Sequence, residues 1–414
     1  MRDHPWPRAL LWLVFLAPFF FLTYNFSNAI SSRRAEVAVV RFPWEGHIPF
    51  VGWTILPYWS SDLLYALSLG ICRTRQELDL HGKRLIAIQV LATACFLAFP
   101  MKCVFERPVF SGWDGSLFAA LYSFDQPFNQ APSLHVALAV ILWVRFRAHT
   151  GGWLRTAFAV WFVLVAISTL TTFQHQFIDV PLGAWAGILV VAALPEHRVA
   201  TPQVRLTFAY LGGAILCTAA AFTLRGSGWI LVWPGFALSM VAAAYWTADA
   251  AWLGKSGTLP MVPYTLAAWI NSRLWTRGEA AKNHLANAVW IGRAPSASDR
   301  EGMKSVVALA PELPIRGEAH VAMLDLMPPT EDQLDAAVRA IESLADQRPT
   351  LVCCALGYSR SAIVAAAWLM ATGYARNSTE AIEQVRRARP QVVMGEKYKL
   401  RLEQWSARWN EHAG

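Results

Sequence analysis

The chain carries eight long apolar runs and then changes period. The runs fall at approximately 9–27, 50–71, 85–101, 134–147, 153–172, 177–194, 206–224 and 229–247. A helix needs about 17–25 such residues to cross a bilayer. The pattern therefore predicts an α-helical transmembrane bundle of about 8 spans over residues 1–247. The fourth run is short and begins at a polar motif. The first follows Arg2 and Arg8 as a signal peptide would, but it is long and lacks a clean small-x-small cleavage site, so it is read as an anchor.

Residues 248–283 read as a juxtamembrane linker, in which Tyr264–Trp275 is either an interfacial helix or plain connection. From 284 to 414 short β-like runs (Ala288–Ile291, Ser305–Leu309, His320–Leu324, Thr350–Cys354) alternate with helical patterns over Glu331–Leu344, Ser361–Thr372 and Ser378–Arg387. That alternation predicts a soluble α/β domain with a central, largely parallel sheet.

Composition sharpens the division. Hydrophobic residues make up 55% of the chain and charged ones 15%, against roughly 25% charged in soluble domains. A wholly soluble or disordered chain is excluded. The 20 tryptophans suit a bilayer interface. Residues 1–283 hold 21 Lys and Arg against 13 Asp and Glu, whereas 284–414 hold 15 of each. The basic excess thus belongs to the apolar part, where it sets orientation and gives no groove for nucleic acid. Eleven cations (Arg2, Arg8, Arg73, Arg75, Lys83, Arg84, Arg145, Arg147, Arg155, Arg198, Arg205) lie on one predicted side. Six (Arg33, Arg34, Arg41, Lys102, Arg107, Arg225) lie on the other. The positive-inside rule puts the first set, and with it the C-terminal domain, in the cytoplasm.

Of six cysteines, Cys72, Cys95 and Cys217 read as small apolar filler, and no spacing suggests a zinc site or a disulfide framework. No cofactor or metal is implied. The oligomeric state is not encoded in any pattern of this sequence.

The chemistry concentrates in two places. The first is Cys354-Ala-Leu-Gly-Tyr-Ser-Arg360-Ser361, after an apolar strand and before a helical run. Loop amides and a helix N-terminus make an anion cradle there. Gly357 permits the bend, and the planar fork of Arg360 suits two phosphate oxygens. A cysteine in that field is favoured as thiolate. The expected chemistry is in-line attack of Cys354 on phosphorus. An acid must protonate the leaving oxygen. Asp325, 29 residues upstream and followed by Pro328 and Pro329, is the candidate, with Thr330 as N-cap of the next helix. Asp332 and Asp335 compete but fall inside that helix.

The spacing C-x5-R followed by Ser, with an upstream loop aspartate and the opening strand Val289-Trp290-Ile291-Gly292-Arg293, resembles the dual-specificity phosphatases of the protein-tyrosine-phosphatase superfamily. The resemblance implies Cys354 as nucleophile and Arg360 as phosphate binder. It implies Asp325 as general acid and Ser361 as an aid to breakdown of the intermediate. Leu356, Gly357, Tyr358 and Ser359 become the phosphate-cradling loop. Cys353 stands where that family usually has His, and the loop lacks lysines.

The second place is a set of polar islands in the apolar half: Lys102 to Arg107-Pro108, Pro132-Ser133-Leu134-His135, and His175-Gln-Phe-Ile-Asp179. All fall on the predicted non-cytoplasmic side. Ionisable groups at membrane level are costly and usually functional. Asp179 can fix the tautomer of His175, and His135 can serve as proton donor. The pattern resembles the type 2 phosphatidic acid phosphatase superfamily, with Leu134 in place of a Gly and Ser168-Thr169 in place of Ser-Arg. That resemblance implies a six-helix core. It makes His175 a nucleophile oriented by Asp179, His135 an acid/base, and Lys102, Arg107 and Ser133 phosphate ligands. The looser motif is similar to inositol-phosphoceramide and sphingolipid head-group transferases.

The whole chain resembles bacterial fusions of these two domains. The expected activity is removal of a phosphomonoester from a phospholipid head group at the cytoplasmic face of an inner membrane. A histidine site for phosphoryl transfer or hydrolysis would face outward. The open alternatives are a membrane-anchored protein phosphatase and a non-catalytic phospholipid sensor.

Overall fold

The computed structural model describes residues 5–106, 112–196, 200–254, 258–346 and 348–413. The chain divides into two compact units, Met1–Glu196 and His197–Gly414. Of the cations used for orientation, Arg2, Arg107 and Arg198 lie outside the described residues.

The first unit is helical. Its helices are α1 (Trp6–Ser31), α2 (Ile55–Gly70), α3 (Arg75–Ala98), α4 (Trp113–Phe124), α5 (Leu134–His149), α6 (Gly152–Thr171) and α7 (Asp179–Ala193). Helix α3 starts ten residues before its apolar run. The Thr74 hydroxyl accepts the Glu77 N–H at 3.1 Å, and the Glu77 carboxylate accepts the Arg73 N–H at 2.7 Å, so polar residues open the helix. Helix α7 lies close on α5 because Gly183 and Gly187 face it. A Cβ at those positions would stand 2.4 Å from the Ser133 carbonyl oxygen and 2.6 Å from that of Ala137. The same approach sets the start of α7 beside the start of α5, with the Ser133 N–H donating to Asp179 O at 3.0 Å.

The second unit begins with α8 (Val204–Leu224) and α9 (Val232–Thr247), which pack on each other, followed by α10 (Val262–Trp275). Each of the eight apolar runs lies on a helix. Among the described residues, five helical stretches are long and apolar enough to cross a membrane: Trp6–Ser31, Arg75–Ala98, Gly152–Thr171, Val204–Leu224 and Gly226–Thr247. The other three runs are α2, α5 and α7, of 16, 16 and 15 residues. The break between units after Glu196 differs from the boundaries at 247 and 284 expected from composition. Hydropathy groups α8 and α9 with the earlier spans, whereas side-chain hydrogen bonds from α9 reach Leu259 and Asp325 in the later part of the chain.

The sheet contains β1 (Lys282–Ala286), β2 (Val289–Arg293), β3 (Ser305–Ala308), β4 (Ala319–His320) and β5 (Thr350–Cys354), in the order β1-β2-β5-β3-β4. All neighbours are parallel except β1 and β2. Four helices complete the unit: α11 (Glu331–Ala345), α12 (Arg360–Ala371), α13 (Ser378–Ala388) and α14 (Glu396–Ala413). Strand β5 is central and wholly buried. Val289, Ile291, Val307, Val352, Leu334, Ile341, Ile363 and Trp405 join one core around it.

Two expectations shift. The strand expected at His320–Leu324 is reduced to Ala319–His320, although the Val321 and Met323 N–H groups still donate to Ala308 O and Leu309 O. Val289–Arg293 is the second strand of the sheet, because the half-buried Lys282–Ala286 precedes it at the edge.

Candidate active sites

The nucleophile candidate ends the central strand, where ligands bind in open parallel sheets. Cys354 is 2% exposed, and its sulfur accepts the Gly357 N–H at 3.2 Å and lies 3.4 Å from Ser361 Oγ. Gly357 has φ +76°, and a Cβ there would stand 2.6 Å from the Gly292 carbonyl carbon. Only glycine fits that bend.

The loop is held from outside by its carbonyls. Ala355 O accepts Ser272 Oγ at 2.6 Å. Leu356 O and Gly357 O accept Arg389 Nη2 and Nε at 3.3 and 2.9 Å. Tyr358 O accepts the Val393 N–H at 2.9 Å. In a planar trans peptide the N–H opposes the C=O. Four carbonyls are thus held away from the loop's interior, and of the amides that follow them the Gly357 N–H reaches the sulfur.

Arg360 opens α12 and is 1% exposed. Nη1 and Nη2 donate to the two carboxylate oxygens of Glu312 at 2.9 and 2.6 Å, and Nη1 also donates to Met323 O at 3.1 Å. Nε lies 3.3 Å from Asp325 Oδ1. Burial works against the Arg360 charge, but the Glu312 and Asp325 carboxylates outweigh it and hold its pKa above the ordinary value. The structure therefore brings Cys354, Ser361, Arg360 and Asp325 together. The competing acids sit elsewhere: Asp332 accepts from Arg408, and Asp335 accepts from Trp405 Nε1 at 2.7 Å. Both tie α11 to α14.

Of the other loop residues, Tyr358 points outward and donates to the Glu279 carboxylate at 2.9 Å. Ser359 meets the Tyr398 hydroxyl, whose pKa burial, with Asp325 adding, pushes up to about 12. Cys353 is fully buried in the core, and burial pushes its thiol up. Cys353 and Cys354 are both free thiols.

Glu312 and Arg389 escaped the sequence reading. The signal for Glu312 was a lone charge in Ala310-Pro311-Glu312-Leu313-Pro314, just past a buried strand. That for Arg389 was an arginine preceding Pro390 at a helix end.

In the helical unit, His175 Nδ1 lies 3.2 Å from Asp179 Oδ2, which also accepts the Gln176 N–H at 3.0 Å. His175 precedes α7 and Asp179 is its first residue, so a bend in the chain, and not one helical face, brings the pair together. Buried Glu45 steadies that turn by accepting the Phe42 and Phe177 N–H groups at 2.7 and 2.9 Å. His135, in the first turn of α5, stacks on Tyr58 at 4.0 Å and lies edge-on to His175 at 6.5 Å between ring centroids. Ser133 is fully buried beside them, and among the described residues its Oγ has no hydrogen-bond partner. Both histidines line a cavity of about 360 Å³ together with Tyr24, Tyr58, Asp62, Asp125 and Asn129. Thr169 is buried, and its hydroxyl donates to Ala166 O at 2.7 Å while its carbonyl accepts the His175 N–H at 3.0 Å. Lys102 is exposed, with Nζ 6.0 Å over the Phe128 ring. Arg107 lies outside the described residues. Among the described residues, no group of three His, Cys, Asp or Glu is placed to hold a metal ion.

Residues 312–408 match the family model of the dual specificity phosphatase, catalytic domain. Among solved structures, Tk-PTP in its active form is 25% identical, with a TM-score of 0.28 over 31% of this chain and 97% of that one. PTPMT1 in complex with PI(5)P is 17% identical, with a TM-score of 0.30 over 32% and 99%. Human DUSP28 is 23% identical, with a TM-score of 0.28 over 31% and 95%. No curated protein matches the chain. The second unit thus carries a dual-specificity phosphatase domain, and the helical first unit lies outside the family match.

Proposed function

We propose that the chain is a membrane-bound phosphatase of phospholipid metabolism, acting through Cys354 on a phosphomonoester of a lipid head group. The observation that carries the reading is the cradle itself: a buried sulfur receiving a loop N–H, with carbonyls of its loop drawn outward and Arg360 fixed beside it.

The reaction takes two displacements. Leu356, Gly357, Tyr358 and Ser359 supply amides to the phosphate oxygens, and Arg360 supplies charge. The Cys354 thiolate attacks phosphorus in line, and an S–P bond forms as the P–O bond to the leaving group breaks. Asp325 gives its proton to the departing oxygen. Water then attacks the cysteinyl phosphate. Asp325 takes the water's proton, the S–P bond breaks, and inorganic phosphate leaves. Ser361 Oγ, 3.4 Å from the sulfur, hydrogen-bonds the returning thiolate.

Tethering to apolar helices raises the concentration of a lipid substrate at the site, because enzyme and lipid share one surface. The excess of positive residues on one side of the helical half favours a cytoplasmic phosphatase domain at the inner membrane.

The His175–Asp179 hydrogen bond beside a cavity that also holds His135 supports a second site, for phosphoryl or head-group transfer or hydrolysis on the opposite face. Ser133 is its phosphate ligand, and Lys102 and Arg107 its further candidates.

The deciding experiment compares Cys354→Ser with His175→Ala in the full chain, on lipid phosphates and on phosphopeptides. Loss of lipid-phosphate turnover in Cys354→Ser supports the reading. Loss confined to phosphopeptides overturns the lipid assignment in favour of a protein phosphatase. Turnover unchanged in both variants makes the chain a binding protein.

A further inference from the structure

We propose that Tyr245 of α9 is a positioning residue of the phosphatase, its hydroxyl holding the loop that carries Asp325, so that the α8–α9 pair is working machinery and not only an anchor. The inference rests on the reading of Asp325 as general acid.

The loop runs from β4 to α11. Its far end is fixed by a reciprocal cap, in which the Thr330 hydroxyl accepts the Gln333 N–H and the Gln333 side chain accepts the Thr330 N–H. In the middle, two consecutive carbonyls are tied by side chains from elsewhere in the unit. Tyr245 Oη donates to Asp325 O at 3.2 Å, and Lys397 Nζ donates to Leu326 O at 2.7 Å. Leu326 has φ +59°, a left-handed conformation that a leucine adopts only where its surroundings impose it. The imposed bend places the Asp325 carboxylate 3.3 Å from Arg360 Nε.

Tyr245 is suited to the task. It is 3% exposed, and its ring stacks on Tyr210 of α8 with centroids 5.6 Å apart and planes 5° from parallel. Tyr210 in turn meets Tyr264 of α10 edge-on at 6.1 Å. Each of the three helices contributes one tyrosine to this wall. The stacking fixes the ring, so the hydroxyl arrives at the loop already oriented. A phenylalanine would fill the same space, so what tyrosine adds is the hydrogen bond to the loop.

A general acid matters in proportion to the leaving group's need of its proton as the P–O bond breaks. 4-Nitrophenolate leaves unprotonated, whereas phenolate leaves poorly. The test uses full-length Tyr245→Phe with a series of aryl phosphates from 4-nitrophenyl to phenyl, beside Asp325→Asn and Cys354→Ser. The expected result, read in kcat/KM because that ratio ends at departure of the leaving group and excludes hydrolysis of the common intermediate, is a fall of about tenfold on phenyl phosphate and under about twofold on 4-nitrophenyl phosphate, in the same direction as Asp325→Asn. An unchanged Tyr245→Phe overturns the proposal, and so does an equal fall across the series, which marks a merely structural residue. If Asp325→Asn shows no leaving-group dependence, or Cys354→Ser remains active, the reading of the site itself fails and the proposal falls with it.

Discussion

Glu312 grips Arg360 with both carboxylate oxygens, at 2.9 and 2.6 Å, and both side chains are buried. The guanidinium is therefore aligned before any substrate arrives, and its charge is offset. Replacing Glu312 with Ala leaves that guanidinium buried with a large part of its compensation gone. Breaking such a pair costs about 3–5 kcal/mol. The expected outcome is a lower thermal midpoint and a raised KM for 4-nitrophenyl phosphate, checked by calorimetry and steady-state kinetics.

Gly357→Ala tests the cradle's shape. The added carbon meets the Gly292 backbone and must adopt φ +76°. The loop has to open, which withdraws the amide that faces the sulfur. A fall of about 100-fold in kcat/KM is expected, with the overall fold retained by circular dichroism.

The adjacent thiols should behave differently. Cys354 stands at the cradle, whereas burial pushes the Cys353 thiol up and keeps it protonated and neutral from pH 6 to 9. Its titration therefore adds no inflection to the activity profile across that window. Iodoacetamide should modify Cys354 before Cys353, in step with loss of activity, as read by peptide mass spectrometry. Cys353→Ala should retain the wild-type rate within about threefold.

The histidine site makes its own prediction. Asp179→Asn preserves the shape of the pair but removes the carboxylate that fixes His175. Any turnover dependent on His175 should fall by about 1,000-fold or more, while Cys354-dependent turnover of 4-nitrophenyl phosphate is unchanged. Acid-labile phosphate on His175 in the wild-type chain, absent from Asp179→Asn, is the direct readout.

The parts of the molecule legible in the sequence are those made by neighbours along the chain. Cys354, Gly357, Arg360 and Ser361 share one turn, so their spacing reveals the cradle. The strand Thr350–Cys354 was legible to its ends because all five residues are buried. What escaped comes from distant segments. Glu312 reaches Arg360 across 48 residues, Arg389 reaches Gly357 across 32, and Tyr245 reaches Asp325 across 80. No local pattern marks a charge or hydroxyl whose partner is chosen by packing. Strand Lys282–Ala286 was hidden for a related reason: its half-buried, polar pattern takes its pairing from Val289–Arg293. Hydropathy sets α8 and α9 with the membrane spans and carries no sign of the hydrogen bond by which Tyr245 reaches the Asp325 loop.

Helix α10 touches the cradle twice, through Ser272 to Ala355 and through the Trp275 carbonyl, which lies 3.1 Å from the Tyr358 hydroxyl. The rim of the catalytic loop is thus borrowed from sequence that precedes the sheet. A fragment excised at residue 284 would contain Cys354 and Arg360 yet lose both of those contacts to the loop. A graft that carries the whole cradle therefore begins ahead of Val262, and one that brings only the recognisable motif inherits a looser loop.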